Sequence, residues 1–451
     1  MSLDHSADNK CYPVEGLDFQ GKGFIKIAGK TLSFAGVLPG DTIEINFDES
    51  KSPSVVGIAQ PSRDRIKSDC RFYGPCGGCD LLELSEKARI REKDAVLKRV
   101  FSAPTPTTPI HFHSFSASSS TIRYLPRLRL HQSRDASHRE AGYLCPTSFI
   151  GKLPGGIVPV TGCALLTKPL AQRLVAARHA LANLPIRVDG FYLISAAVGP
   201  DKVAGHIVLA KKSSFKRSTE FLEKLVRESN LSGLSVADAS GKIVGVMGSV
   251  QVDGLVAPGV EGGPFTSEPA IFSQGNIYQN KKLVETVVKL CAVEPGHRVV
   301  EGFAGAGNFS IPLGKHGAVV EGFESNPGAV RLAIRNIHKA GLDDTVKLVE
   351  ADAQKALRKT PPHPDLLLLD PPRSGVSDIF GIVQKILPKK IVYVACDMET
   401  LARDSRQLID AGYHPTEAAG MDLYPRTHHI EAVAVFLPRP TPTDIQNPPT
   451  E

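Results

Sequence analysis

Beyond Pro264 the chain keeps a regular alternation: HRVVEGF, AVVEGFE, VKLVEA, DLLLLD and KIVYVAC are short apolar runs, and helix-like stretches separate them. Runs this short, bounded by Gly, Pro or Asp, read as buried strands. Strands with helices between them do not pair as hairpins; they form a parallel sheet with helices on both faces. A sheet of that kind binds ligands outside the carboxyl ends of its strands. Residues 264–438 are therefore predicted to form a doubly wound, mostly parallel α/β domain, and the loops after each run are where chemistry is to be sought.

The N-terminal part is written differently. From Val14 to about Ile58, GLDFQGKGFIKIAGKTLSFAGVLPGDTIEINF alternates apolar and polar residues with Gly or Pro every few positions. This predicts a small antiparallel barrel over residues 1–60, of OB-like type. Residues 61–263 mix strand-like runs (GFYLISAAVGP, AGHIVLAKK, GKIVGVMG) with two clear helices (LTKPLAQRLVAARHALANL, SFKRSTEFLEKLVRES) and read as a central α+β domain. Within it, a charged helix at about 82–101 is a candidate to pack on the catalytic domain. Residues 103–120, rich in Pro, Ser and Thr, read as a linker or long loop. Residues 1–9 and the Pro-rich tail 439–451 read as unstructured.

The chain carries a net charge of +6, which suits a nucleic-acid partner and equally a plain basic enzyme. No stretch approaches the roughly 20 apolar residues of a membrane span, and the first residues lack the apolar core of a signal peptide. A cytoplasmic setting is the expectation, in which the eight cysteines stay reduced.

The first strand end carries VVEGFAGAGNFS, with Gly305-Ala306-Gly307 leading into a helix. Glycines let a ligand approach the backbone closely. Roughly 20 residues on, at the end of the next strand, Glu324 can accept from both ribose hydroxyls of a nucleoside. Dinucleotide and S-adenosylmethionine sites share this arrangement. Ser310 stands where a dinucleotide site has its third glycine, and S-adenosylmethionine has no pyrophosphate that needs one. Asp352, after the third run, can face an adenine or cap a helix. Asp370-Pro371-Pro372-Arg373 ends the fourth run. The prolines stiffen the loop that presents Asp370, and Arg373 replaces the aromatic residue that amino-group methyltransferases place there.

Cys396 ends the fifth run and opens a helix. A thiol at a helix N-terminus has a lowered pKa, and a thiolate adds to carbon electrophiles. A small buried hydrophobe is the commoner use of cysteine. Glu431, before the apolar run AVAVF, sits at the mouth of the last strand, either as a general base or as an edge charge. Cys70, Cys76 and Cys79, with Cys163 later, offer four thiolates. Such a set holds structural zinc or a [4Fe–4S] cluster, and the spacing leaves both open.

Taken together these pieces resemble the RNA (uracil-5-)-methyltransferase family of the RumA/TrmA type, from Val14 to about Leu437. The resemblance is carried by the LPGD turn (Leu38 to Asp41), C-x5-C-G-G-C with Cys163, FSQGN (Phe272 to Asn276), EGFAGAGNFS, Glu324, DPPRSG, ACDMETLARD and His429-x-Glu431. It implies a class I methyltransferase domain, a TRAM-like RNA-binding barrel, and a [4Fe–4S] cluster on Cys70, Cys76, Cys79 and Cys163. It implies cofactor contacts by Gln274, Phe303, Asn308, Glu324 and Asp370, with a further contact near Asp352. It makes Cys396 the nucleophile and Glu431 the base in S-adenosylmethionine-dependent methylation of carbon 5 of a uridine. Such a target must be extruded from structured RNA. Ribosomal RNA, of the 23S type, is the preferred substrate; transfer RNA, cytosine carbon 5, and an RNA-binding iron–sulfur protein without catalysis are the other readings. Three places depart from the family pattern: Ala304 replaces a common Cys, Asp397-Met398 replaces a more usual Asn/Asp-Pro, and RYLPRLRL lacks one common arginine.

Overall fold

The computed structural model describes residues 10–47, 52–102, 109–118, 127–133, 140–144, 156–196, 201–211, 213–255 and 265–439. The segments 1–9 and 440–451, read above as unstructured, lie outside the described residues, as does much of 103–126. No helix among the described residues is long and apolar enough to cross a membrane.

The C-terminal half forms an eight-stranded sheet in the order Val346–Glu350, Val319–Glu324, Arg298–Gly302, Leu366–Leu369, Ile391–Ala395, Glu431–Pro438, Tyr413–Met421, His111–Phe112. The first five strands are mutually parallel. Glu431–Pro438 runs antiparallel to Ile391–Ala395, so the sheet is mixed. The central strands Leu366–Leu369 and Ile391–Ala395 are buried along their whole length, which is why they read as continuous apolar runs. Helices on both faces build two separate cores, one around Leu367, Tyr393 and Phe436, the other around Val299, Leu368 and Val433.

The last strand corrects a sequence expectation. His111–Phe112 lies within the segment read as a linker, yet it pairs parallel to Glu417 and Ala418 at the sheet edge. Phe112 and Phe115 pack on the catalytic core. Two apolar side chains in a Ser- and Pro-rich context give too short a period to be seen as a strand.

The helix Glu86–Val100 starts on Ser85, whose Oγ accepts from the Ala88 N–H at 3.3 Å. Its buried Ala88, Val96, Leu97 and Val100 join the core that holds Leu401, Leu408 and Ala418 of the catalytic half. The approach is close: a Cβ on Gly420 would lie 2.8 Å from Leu97 Cδ2 and 2.6 Å from Phe115 Cε2. The same helix buries Lys93, whose Nζ donates to Asp422 Oδ1 (2.6 Å), His429 O (2.8 Å) and Tyr424 O (3.2 Å).

At the N-terminus two three-stranded antiparallel sheets share one core of Val14, Ile25, Val37, Ile43 and Ile45. Among the described residues the two sheets are not hydrogen-bonded into a closed barrel. Asp41 of the LPGD turn, fully buried, ties this unit together: it accepts from the Leu38 and Ser62 N–H groups and from the Arg65 guanidinium. The central region is a seven-stranded sheet with helices Lys168–Ala182 and Phe215–Glu228 contributing Leu170, Leu174, Leu222 and Leu225 to its core.

Candidate active site

Parallel strands deliver their carboxyl ends to one edge of the sheet. Gly302, Glu324, Asp370 and Cys396 all stand at or just past those ends. Glu431 opens an antiparallel strand, so its amino end arrives at the same edge: Ala432 pairs with Ala395, and Glu431 with Met421. The topology alone thus brings Cys396 and Glu431, separated widely in sequence, to neighbouring strands.

The glycine loop is shaped for close approach. Phe303 adopts φ 63°, and Gly305 and Gly307 have φ 55° and 89°, a region that costs a residue with a side chain. A Cβ on Gly305 would meet nothing within 4 Å, so open space lies beside the loop. Glu324 is held rigidly there: Oε2 accepts from Gly305 N–H (3.0 Å) and Oε1 from Asn326 N–H (2.7 Å). Each oxygen keeps a further lone pair, so the carboxylate fits a ribose diol. Beneath the loop Glu301 is fully buried. Burial pushes its carboxyl up to about 8, while Ser310 Oγ, which donates to Oε2, acts the other way. Its Oε1 has no partner among the described residues.

Asn308 and Asn280 pair their amides reciprocally (2.9 and 3.1 Å), fixing the loop to helix Ile277–Cys291. That helix starts on Asn276, which accepts from Gln279 N–H and donates to Leu423 O. FSQGN thereby leans on the segment leading to Glu431: a Cβ on Gly275 would lie 2.6 Å from the Tyr424 ring. Gln274 in the same loop is buried. Asp352, in contrast, is exposed and caps helix Ala353–Leu357 by accepting from Lys355 N–H at 3.0 Å. Of the two roles open to it, the structure displays the cap.

Electrostatically the centre is crowded with acid. Burial pushes Asp370 up to about 7. Burial and the charge of Asp370 raise Glu431 well above the usual carboxylate range, against the pull of Arg373. Cys396 is pushed up to about 12 by burial, then by Glu431 and Asp370, with Arg373 acting downward. The expectation of a thiolate favoured by the helix dipole is therefore corrected. Asp397, not the thiol, caps helix Met398–Asp410, accepting from Thr400 N–H at 2.9 Å. Burial first, and then the flanking carboxylates, hold the thiol in its protonated form.

Two groups that sequence reasoning gave no role complete the centre. Arg373 is a cation that draws both Cys396 and Glu431 downward; its carbonyl accepts from Thr400 Oγ1 at 2.8 Å. Lys93 secures the loop before Glu431. A cation after Pro-Pro was the one available signal for Arg373; Lys93 had none, because its partner lies 329 residues away.

The cysteines Cys70, Cys76, Cys79 and Cys163 lie near one another. Burial pushes Cys79 up to about 12, and Cys163, Cys76 and Cys70 add to the rise. Tyr143 hydrogen-bonds Cys163. Among the described residues no group of three His, Cys, Asp or Glu side chains is arranged to hold a metal ion. In donor chemistry, four thiols in one neighbourhood fit a four-thiolate group.

Residues 268–369 match a family model described as the TRM5/TYW2 methyltransferase domain. The chain is 31% identical over 435 residues to the 23S rRNA (uracil(1939)-C(5))-methyltransferase RlmD of Shewanella amazonensis, covering 94% of each. It is 30% identical to the RlmD of Neisseria lactamica, again over 94% of each. Its fold is similar to that of the Pyrococcus abyssi tRNA (uracil-54, C5)-methyltransferase solved with S-adenosyl-L-homocysteine. That likeness has a TM-score of 0.66 at 20% identity and covers 95% of this chain and 100% of that one. The glycine loop, the thiol and carboxylate on adjacent strand ends, and relatives aligned along nearly the whole length agree: the chain belongs to the RNA uracil-C5-methyltransferase family.

Proposed function

We propose that this chain methylates carbon 5 of a uridine in 23S rRNA, using S-adenosylmethionine. The observation that carries the reading is the meeting of Cys396, Glu431 and Asp370 at one sheet edge, in a chain so extensively similar to enzymes of that name. When bound, S-adenosylmethionine supplies an electrophilic methyl group. Gly305 and Glu324 suit its nucleoside part; Gln274, Phe303, Asn308 and Asp370 are the further candidate contacts, and Asp352 through its cap.

Carbon 5 of uracil is a weak nucleophile. The Cys396 sulfur adds to carbon 6, and the carbon 5–carbon 6 pair moves towards the carbonyl at carbon 4 as an enolate. Carbon 5 would then take the methyl group as the methyl's bond to the sulfonium sulfur breaks, releasing S-adenosylhomocysteine. Glu431 removes the proton on carbon 5, the carbon 6–sulfur bond breaks, and the ring double bond returns. A carboxylate raised by burial and by Asp370 is a stronger base once ionised. Because Glu431 must be ionised to act and burial with Asp370 raises its carboxyl well above the usual carboxylate range, the rate should climb with pH beyond that range and through neutrality. A profile that is flat or falls through neutrality would contradict the role.

Labelled methyl transfer to in vitro transcripts tests the substrate: incorporation into a 23S rRNA fragment as 5-methyluridine is expected. Incorporation only into transfer RNA, or as 5-methylcytidine, would replace the reading. Binding to RNA with no transfer would favour a non-catalytic iron–sulfur protein. The N-terminal unit, with Phe47, Val56 and Ile58 exposed, is the proposed TRAM-like RNA platform, since an exposed aromatic ring such as Phe47 can stack on a base. A cytoplasmic setting goes with a ribosomal substrate.

We infer further that Cys70, Cys76, Cys79 and Cys163 hold a [4Fe–4S] cluster. The support is the four-sulfur donor set and its match to the family pattern. Protein purified anaerobically should contain about four iron and four sulfide per chain, and Cys79→Ser should lose most of both. One zinc and no sulfide would overturn the assignment.

A further inference from the structure

Among the described residues Arg373 is the cation whose charge acts on both Cys396 and Glu431, yet it stands exposed at the mouth of the site. A long exposed side chain has many rotamers, and holding one of them needs an anchor. The backbone anchor is Thr400, in the helix that follows Cys396. The side-chain anchor is His429, whose Nε2 lies 3.1 Å from Arg373 Nη2. A guanidinium only donates. His429 Nε2 therefore accepts, and its proton sits on Nδ1. Burial, with the neighbouring His428 and Arg373, pushes His429 down to about 3, so it stays the neutral acceptor this contact needs.

His429 is itself wedged from three sides. Its carbonyl accepts from buried Lys93, and its ring stands edge-on to Tyr424 at 6.0 Å. On the third side His428 lies 4.2 Å away, ring to ring. Asp80 pairs with His428 Nδ1 and accepts from the His428 N–H at 2.9 Å. The turn at Gly21 closes over the same residue, since a Cβ there would lie 2.2 Å from His428 Cβ. The imidazole that meets Arg373 is thus set by the N-terminal unit, the cysteine-bearing arm and the long helix together.

The geometry points to His429 as the positioning residue that holds Arg373 beside the Cys396–Glu431 pair, so that the nucleophile ionises in its field. The inference rests on the uridine-methylation reading. The groups facing Cys396 are Glu431, Asp370, Asp397 and Tyr424, all acidic, and Arg373, the cation opposing them. Loosening Arg373 therefore makes the thiol harder to ionise, and adduct formation moves to higher pH.

The test uses the full chain with an rRNA fragment, reading methyl transfer and 5-fluorouridine adduct formation across pH. His429→Ala should lower kcat at neutral pH by roughly 10- to 100-fold. It should leave the KM for S-adenosylmethionine within about twofold, and move the rise in adduct rate alkaline by about one pH unit. His429→Gln, whose carboxamide oxygen can reach the place of Nε2, should recover most of the rate and the original profile. An Ala variant with unchanged kcat and profile overturns the role. So do Ala and Gln variants equally impaired on the parent's profile, which is the mark of a purely structural residue. If the parent itself transfers no methyl to uridine, the fault lies in the uridine reading, and the positioning role falls with it.

Discussion

Cys396→Ala should abolish turnover, lowering kcat by on the order of 10^4-fold or more, because removal of a nucleophile leaves only binding and orientation. S-adenosylmethionine affinity should stay close to that of the parent, since the glycine loop and Glu324 lie on other strands. Glu431→Gln should fail at a different step. The thiol can still add and carbon 5 can still take the methyl, but the proton stays. This variant should therefore accumulate a covalent RNA complex on ordinary uridine, visible as a denaturation-resistant band. Equal loss of adduct in both variants would contradict the division of roles. Retained turnover in Cys396→Ala would contradict the mechanism outright.

Lys93→Met should be strongly destabilising. Lys93 and Asp422 have side-chain exposures of 1% and 2% and stand 2.6 Å apart. Removing one member of such a pair strands the other charge, at a cost of about 3–5 kcal/mol. Two loop carbonyls, of Tyr424 and His429, lose a donor as well. Adding Asp422→Asn to Lys93→Met should return a large part of that cost, because the buried charge is gone. Urea unfolding of the parent, the single variants and the double variant gives the cycle. A Lys93→Met cost under about 1 kcal/mol would mean that the pair acts as a surface contact. Because this loop leads directly into Glu431, the variant should also lose activity before it loses global structure.

The catalytic sheet was legible because its strands are buried on both faces, so apolar runs such as LLLL at Leu366–Leu369 stand out from the text. Cys396, Asp370 and Glu324 were legible as strand-end residues for the same reason. What escaped has a common physical cause: it depends on segments far apart in sequence. The charged helix was legible as a candidate to pack on the catalytic domain, but not that it buries Arg89, Glu92 and Lys93 in doing so. The thiol's proximity to a helix start suggested a low pKa. Burial, and after it the carboxylates that arrive from other strands, reverse it. His429 was visible as a motif letter, but its contact to Arg373 spans 56 residues. In the N-terminal unit the alternation located the strands, whereas closure into a barrel depends on inter-sheet hydrogen bonds that no alternation encodes.

The covalent step on Cys396 is the centre of the account, and an rRNA fragment carrying 5-fluorouridine tests it most directly. Fluorine cannot leave as a proton, so addition and methyl transfer proceed but elimination cannot. Mass analysis of the digested complex should find the methylated fluorouracil nucleotide on the tryptic peptide IVYVACDMETLAR, residues Ile391 to Arg403, attached at Cys396. A stable adduct formed by Cys396→Ala, or methyl transfer to 5-fluorouridine with no protein attached, would contradict it.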